Sequence, residues 1–279
     1  MALIQANLYS QALMRTVSIQ AVIPSDKVTK PGKPVERKQF KTLYLLNGLL
    51  GNDTDWLTGT RIERWAKDRD LAVIMPAGEN HFYVDREIPG QQYGEFVGKE
   101  LVELTRALFP LSDKREDTFI GGLSMGGYGA TVNGLKYNDT FSHIVALSAA
   151  YVKDRIEEAS YDAPWITKNR SFYEYVFGDL NHIQGSDKDY EALILKLKEE
   201  KKEIPKFYLA IGTEDEELLS ANRDYHTFLQ EQGVEVTYVE APGAHEWDFW
   251  DSQIQKALEW LPLGDVCQGL SSGNVQTKE

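Results

Sequence analysis

Three short stretches hold side chains whose types could do covalent chemistry together. The first is GGLSMGG at 121–127, in which Ser124 is flanked two residues away on either side by Gly122 and Gly126. The second is GTEDEEL at 212–218, with Glu214, Asp215, Glu216 and Glu217 in a row. The third is APGAHEWDFW at 241–250, with His245 at its centre. A serine hydroxyl becomes a competent nucleophile when a base takes its proton, and histidine is the usual base. A carboxylate behind the imidazole would fix its tautomer and stabilise the cation that forms.

The glycines around Ser124 admit other uses, and these fail on spacing. A phosphate-cradling loop of the Walker type needs Lys then Ser or Thr after its last glycine, whereas Gly126 is followed by Gly127 and Tyr128. No register of the stretch gives G-x-G-x-x-G ahead of a helix. What fits is G-x-S-x-G, a sharp strand-to-helix turn that presents the hydroxyl at its apex. An apolar strand, DTFIGG (117–122), precedes it, and a small-residue helix start, GGYGATVNGL, follows. Larger residues at 122 or 126 would drive a Cβ atom into strand or helix.

Of the five histidines, four have plain structural readings. His81 precedes Phe82 in a loop, His143 opens an apolar run, His182 lies in polar GDLNHIQG, and His226 sits within helical ANRDYHTFLQEQ. His245 alone follows the last expected strand and precedes the last expected helix, at a strand's carboxyl end, where sites in parallel sheets collect. Gly243 and Ala244 let that loop bend, and Trp247 and Trp250 can anchor it. The acid should end the strand before it. Asp215, after the turn-forming Gly212-Thr213 pair, leads Glu214 only narrowly on the residues alone, and an acidic run after a strand is often just solvated loop. The oxyanion of an acyl-transfer intermediate needs preorganised donors. One is expected at the N–H of Met125, and the other at Leu49 in TLYLLNGLLGNDTDW (42–56), where Gly48 and Gly51 let amides turn inward.

The elements that must position these residues are legible as apolar runs. TLYLLN (42–47), LAVIMP (71–76), DTFIGG (117–122), HIVALS (143–148) and KFYLAI (206–211) lack alternation, as strands buried on both faces do, and VEVTYVEA (234–241) closes the set. Residues 7–24 alternate loosely and read as an antiparallel strand pair. Between the runs lie helical spacings: Leu57, Ile62 and Trp65; Phe96, Leu101, Leu104 and Leu108; Ile254, Leu258 and Leu261. The alternation predicts an α/β fold with a mostly parallel sheet, an antiparallel N-terminal pair and helices on both faces, as one domain over 1–265. Polar 25–39 reads as an exposed loop, and 266–279 as a flexible tail. Residues 151–204 exceed what a crossover helix needs and read as a cap-like insertion; their aromatics, Trp165 among them, either line a pocket or pack the flap down.

Composition narrows the classes. With 30 basic against 43 acidic side chains, the formal net charge is −13, which disfavours nucleic acid, membrane surfaces and polyanionic substrates. One cysteine, Cys267, permits no internal disulfide and no cysteine-rich metal site. No apolar stretch approaches the roughly 20 residues of a membrane span, and the first residues do not read as a signal peptide. A cytoplasmic location is expected, although a processed exported chain would read the same.

Over about residues 5–262 the chain resembles the esterase D / tributyrin esterase family of α/β-hydrolases, which includes S-formylglutathione hydrolases and acetyl and feruloyl esterases. The resemblance rests on LLNGLLGNDTDW, GGLSMGGYGA, the GTED turn and GAHEWDFW. It implies the α/β-hydrolase fold, Ser124 as nucleophile, Asp215 as acid and His245 as base, with no metal and no cofactor. It also implies hydrolysis of short-chain acyl esters, feruloyl or saccharide-linked esters among them, and association into homo-oligomers. MPAGENHFYVD (75–85) resembles the family's segment beside the pocket, which places Tyr83 there, with Trp165 and Trp247 as further lining. One departure is Asn47-Gly48, where relatives often carry His-Gly. An S-formylglutathione thioesterase, an acyltransferase and a non-catalytic binding protein on the same scaffold are the competing readings.

Overall fold

All six apolar runs after residue 40 form strands. In the computed structural model, which describes residues 1–29, 38–153, 155–271 and 274–275, they are β3 (Lys41–Leu46), β4 (Leu71–Pro76), β5 (Thr118–Leu123), β6 (His143–Leu147), β7 (Lys206–Gly212) and β8 (Val236–Ala241). The expected N-terminal pair is β1 (Ala2–Ser10) and β2 (Arg15–Ile23), joined by a tight turn and antiparallel throughout. The strand order is β1-β2-β4-β3-β5-β6-β7-β8; β2 pairs antiparallel with β4, and every pairing from β4 to β8 is parallel. Most of the Lys- and Pro-rich loop expected over 25–39 lies outside the described residues.

The unbroken apolarity of the central strands follows from burial on both faces. Leu43, Leu45, Phe119, Val145 and Leu147 point into a core shared with the helices Ile62–Asp68 and Trp247–Trp260. Their neighbours Tyr44, Leu46, Ile120, Ile144 and Ala146 point into the opposite core, against the helices Leu101–Leu108, Met125–Lys136, Tyr190–Glu199 and Leu219–Glu231. This alternation across a helix-covered parallel sheet is what a doubly covered α/β architecture requires. Ile254 and Leu258 on the last helix, and Leu261 just past its end, are all buried, as their spacing predicts.

Two helical faces differ from expectation. Leu57 lies in the short helix Asp55–Gly59 and Ile62 and Trp65 in the next, Ile62–Asp68, because the chain leaves helical geometry at Thr60, so the three share no single helix face. A π turn at Phe96–Glu100 precedes the helix Leu101–Leu108 and inserts an extra residue into the helical period. The buried face therefore runs through Phe96, Val97, Leu101, Val102 and Thr105, and Leu108 is exposed.

The insertion after β6 divides in two. Its second part, Tyr190–Glu199, is the crossover helix itself: Asp189 caps it, accepting from the N–H groups of Glu191 and Ala192 at 3.1 and 3.3 Å, and Tyr190, Leu193, Ile194 and Leu197 are buried on the body. Its first part carries the helix Arg170–Phe177, capped by Asn169 through the N–H of Phe172 at 3.2 Å, with Tyr173 and Phe177 buried. At the other end of the chain, residues 264–270 have no regular structure, yet the N–H groups of Cys267 and Leu270 donate to the carbonyls of Asp68 and Val28 at 2.8 and 2.7 Å.

Sheet order sets where a ligand can enter. The chain leaves β3 for β4 on one side and returns to β5 on the other, so the loops after β3 and β5 diverge at their carboxyl ends. A crevice opens at such a switch point. The β5 turn is tight enough that a Cβ on Gly122 would lie 2.5 Å from the backbone of Gly126, and one on Gly126 would lie 2.6 Å from the carbonyl of Asn47. These obstacles are backbone atoms and cannot rotate away. Gly126→Ala is expected to cost about 1–3 kcal/mol, read as a lowered urea midpoint at unchanged m-value.

Candidate active site

Ser124 caps the helix Met125–Lys136 with φ 53° and ψ −120°, in a region that L-residues rarely adopt. Such a conformation costs on the order of 1–3 kcal/mol and persists only where its surroundings enforce it. Here they do: the N–H of Ser124 donates to the carbonyl of Leu147 at 2.9 Å, and its own carbonyl accepts from Ala150 and Tyr128 at 3.0 and 3.1 Å. The hydroxyl is thereby fixed at the apex of the turn, over the positive end of the helix.

His245 reaches this hydroxyl from the loop between β8 and the helix Trp247–Trp260, with Nε2 3.0 Å from Ser124 Oγ. Its Nδ1 lies 2.7 Å from Asp215 Oδ2. An Nδ1–H donated to the carboxylate leaves Nε2 free to accept the serine proton. Among the four clustered acids, only Asp215 turns inward: its side chain is 1% exposed, and Oδ1 accepts from the N–H of Leu218 at 3.2 Å. Glu214 and Glu216 face solvent, and Glu217 pairs with Arg155 at 2.9 Å. The acid loop and the histidine loop are stitched together, since Thr213 and Glu214 donate to the carbonyls of Ala241 and Gly243 at 2.9 and 3.0 Å. The imidazole also packs edge-on to Trp250, with centroids 4.8 Å apart at 89°, and the Trp250 indole N–H donates to Ser148 Oγ at 3.1 Å.

The other four histidines have local partners away from this chain. His81 is stacked on Tyr93 at 4.2 Å, and burial draws its pKa down. His143 is packed against Phe119 and Trp260, and burial, with Lys206 nearby, brings it to about 4. His182 pairs with Asp179 at 2.8 Å, and His226 stacks on Tyr238 at 4.0 Å.

Ser124 and His245 open onto a cavity of about 860 Å³, whose wall also includes Leu49 and Met125. Among the described residues, the N–H groups of Leu49 and Met125 donate to no other protein group. A Cβ on Gly48 would lie 3.5 Å from Ser124 Cβ, which shows how closely the β3 loop passes the serine. Trp165, 59% exposed, stands at the rim, and Trp247 lines the wall while packing on Trp56 and Trp250 at 5.8 and 5.2 Å. Asp55 also faces the cavity, its carboxyl pushed upward by desolvation.

Tyr83 is not part of that wall. It is fully buried behind it, and its neighbour Phe82 faces the cavity instead. Both residues have left-handed backbones, φ 51° at Phe82 and 57° at Tyr83, so the chain turns where an extended reading would alternate. Phe82 left no signal in the sequence beyond its adjacency to Tyr83. No cluster of three or more His, Cys, Asp or Glu suited to a metal occurs among the described residues, and none of their helices is long and apolar enough to cross a membrane.

This fold, with a serine, a histidine and a buried aspartate in one hydrogen-bonded chain, defines a serine hydrolase of the α/β-hydrolase class. Residues 10–261 match the family described as "Putative esterase", and the chain belongs to that esterase family. An acetyl esterase of Caldicellulosiruptor saccharolyticus is 48% identical over 262 residues, 94% of this chain and 98% of that protein. Two solved Staphylococcus aureus structures each cover 93% of this chain and 98% of their own. The fluorophosphonate-binding serine hydrolase FphF has a TM-score of 0.81 at 31% identity, and the S-formylglutathione hydrolase FrmB 0.80 at 32%. By these likenesses the protein is a serine esterase.

The Trp250–Ser148 bond gives the imidazole a fixed wall. Ser148→Ala leaves a buried indole N–H without a partner and is expected to cost about 1–3 kcal/mol, measured by denaturant titration.

Proposed function

We propose that the protein hydrolyses short-chain carboxylic esters through an acyl intermediate on Ser124. The observation that carries this reading is the chain Asp215–His245–Ser124, with contacts of 2.7 and 3.0 Å, opening onto a cavity beside two amides, those of Leu49 and Met125, that have no acceptor among the described residues. His245 Nε2 takes the proton of Ser124 Oγ as that oxygen attacks the ester carbonyl. Asp215 accepts from Nδ1–H throughout and stabilises the imidazolium. The N–H groups of Leu49 and Met125 donate to the carbonyl oxygen as it becomes an oxyanion. Collapse breaks the carbon–oxygen bond to the alcohol, which leaves with the proton from Nε2. A water then gives its proton to Nε2, attacks the acyl carbon, and frees the acid and the serine.

The 48% identity to an acetyl esterase supports a short acyl group, and the cavity leaves room for a bulky alcohol, a saccharide among them. Residues 151–189 act in this reading as a cap, since Val152, Trp165, Thr167 and Tyr173 form part of the wall. The FrmB likeness favours a second reading, a thioesterase with the same serine, histidine and acid.

A panel of p-nitrophenyl acetate, butyrate and octanoate, methyl ferulate and S-formylglutathione tests both. Acetate or butyrate is expected to turn over fastest, and fastest turnover of S-formylglutathione would transfer the assignment to the thioesterase. Asp215→Asn is expected to lower kcat by about 10⁴-fold, because the imidazole loses its tautomer control. Ser124→Ala should abolish turnover of every substrate while circular dichroism stays unchanged; retained turnover would refute the nucleophile.

A further inference from the structure

Behind the β3 loop lies a buried polar cluster that none of these steps uses. Asn47 and Tyr83 are 1% and 0% exposed. Asn47 Oδ1 accepts from the Tyr83 hydroxyl at 2.8 Å and from the N–H of Gly78 at 3.0 Å. Asn47 Nδ2 donates to the carbonyl of Gly48 at 2.8 Å, and that carbonyl also accepts from the N–H of Gly51 at 3.3 Å. Because the N–H of Gly78 can only donate, the orientation of the Asn47 amide is fixed by its partners.

The consequence falls on one peptide unit. The carbonyl of Gly48 and the N–H of Leu49 share a planar trans peptide and point in opposite directions. Two donors hold the carbonyl on the inner side of the loop, which aims the Leu49 N–H away from them. Leu49 lies on the wall of the cavity that holds Ser124.

Tyr83 is itself held. Its ring covers Gly78 and Gly129 so closely that a Cβ at either position would collide with it, and its carbonyl accepts from Asn133 Nδ2 at 2.9 Å. Burial pushes its phenol well above the ordinary range, so it stays a neutral donor.

We infer that Asn47 and Tyr83 are positioning residues: together they orient the Gly48–Leu49 peptide so that its N–H is preset for the oxyanion. The inference rests on the role proposed above for the Leu49 amide. It explains why a buried asparagine ends the apolar β3 run, and it gives Tyr83 a task behind the wall. Each of the polar atoms of Asn47 that face this cluster has a partner, as a buried network in a low-dielectric site must.

The test compares Tyr83→Phe and Asn47→Asp with the parent on p-nitrophenyl acetate and its thiono analogue, in which sulfur replaces the carbonyl oxygen. Sulfur forms a longer bond to carbon and accepts hydrogen bonds weakly, so a correctly aimed amide matters less for it. Site concentrations come from titration with a fluorophosphonate, and melting temperatures check folding. Tyr83→Phe removes one hydroxyl and keeps the ring. It is expected to lower kcat on the oxygen ester about tenfold, since small misplacements of a reacting group are costly. Asn47→Asp loses the donor to Gly48 and should cost roughly 100-fold, approaching loss of an oxyanion donor. In both, KM should change little, and the ester-to-thionoester rate ratio should fall.

Equal losses on the two substrates, or an unchanged kcat in Tyr83→Phe, would overturn the inference. If Asn47→Asp does not fold, Tyr83→Phe decides alone. Ester turnover that survives Ser124→Ala would instead remove the underlying reaction, so the two failures are distinguishable.

Discussion

Ser124 holds a left-handed backbone at the junction of β5 and its helix, and that strain is the constraint around which the site is built. The turn can form only where Gly122 meets Gly126 without side chains between them and where Gly126 can pass against the carbonyls of Leu46 and Asn47. The carbonyl that ends β6 and the amide of Ala150 then hold the serine from the other side. Strand, helix and neighbouring loop thus enforce a conformation that none would adopt alone. In return, the hydroxyl stands clear of the sheet, and the adjacent Met125 amide is left without a protein partner among the described residues.

The same economy of backbone runs through the supporting loops. Those after β7 and β8 are joined by main-chain hydrogen bonds, so Asp215 and His245 arrive as one unit although 30 residues separate them. Burial of the Asp215 carboxylate strengthens its contact with the imidazole, because few waters compete in a low-dielectric setting. Trp250 closes the side of the ring, and the histidine edge remains accessible toward the cavity, with the side chain 38% exposed. Rigid strands fix the origin of each loop, and short stitched loops fix the side chains.

Much of this was legible in the sequence because burial on both faces of a parallel sheet leaves an unbroken apolar run. LAVIMP coincides with β4 residue for residue, and the other central runs differ from their strands by a residue or two. The elbow was legible through small residues at fixed offsets, and His245 through its place between a last strand and a last helix. Asp215 was harder: an acid's inward turn depends on the loop's backbone, which composition does not encode. The π turn at Phe96–Glu100 was invisible because apolar spacing assumes one constant helical period. The exchange of Phe82 for Tyr83 on the cavity wall comes from two consecutive left-handed residues, neither of them glycine. The division of the insertion into flap and crossover helix was equally hidden, since both parts are amphipathic.

The central claim is that acyl groups pass through Ser124, and the most direct measurement is to catch one there. The protein is mixed with p-nitrophenyl butyrate, quenched in acid within the first turnover, digested and mapped by mass spectrometry. The account predicts a single butyryl adduct on the peptide containing Ser124, formed in step with the burst of nitrophenol. A burst of nitrophenol with the adduct on another residue, or steady turnover with no adduct at any time after mixing, would contradict it.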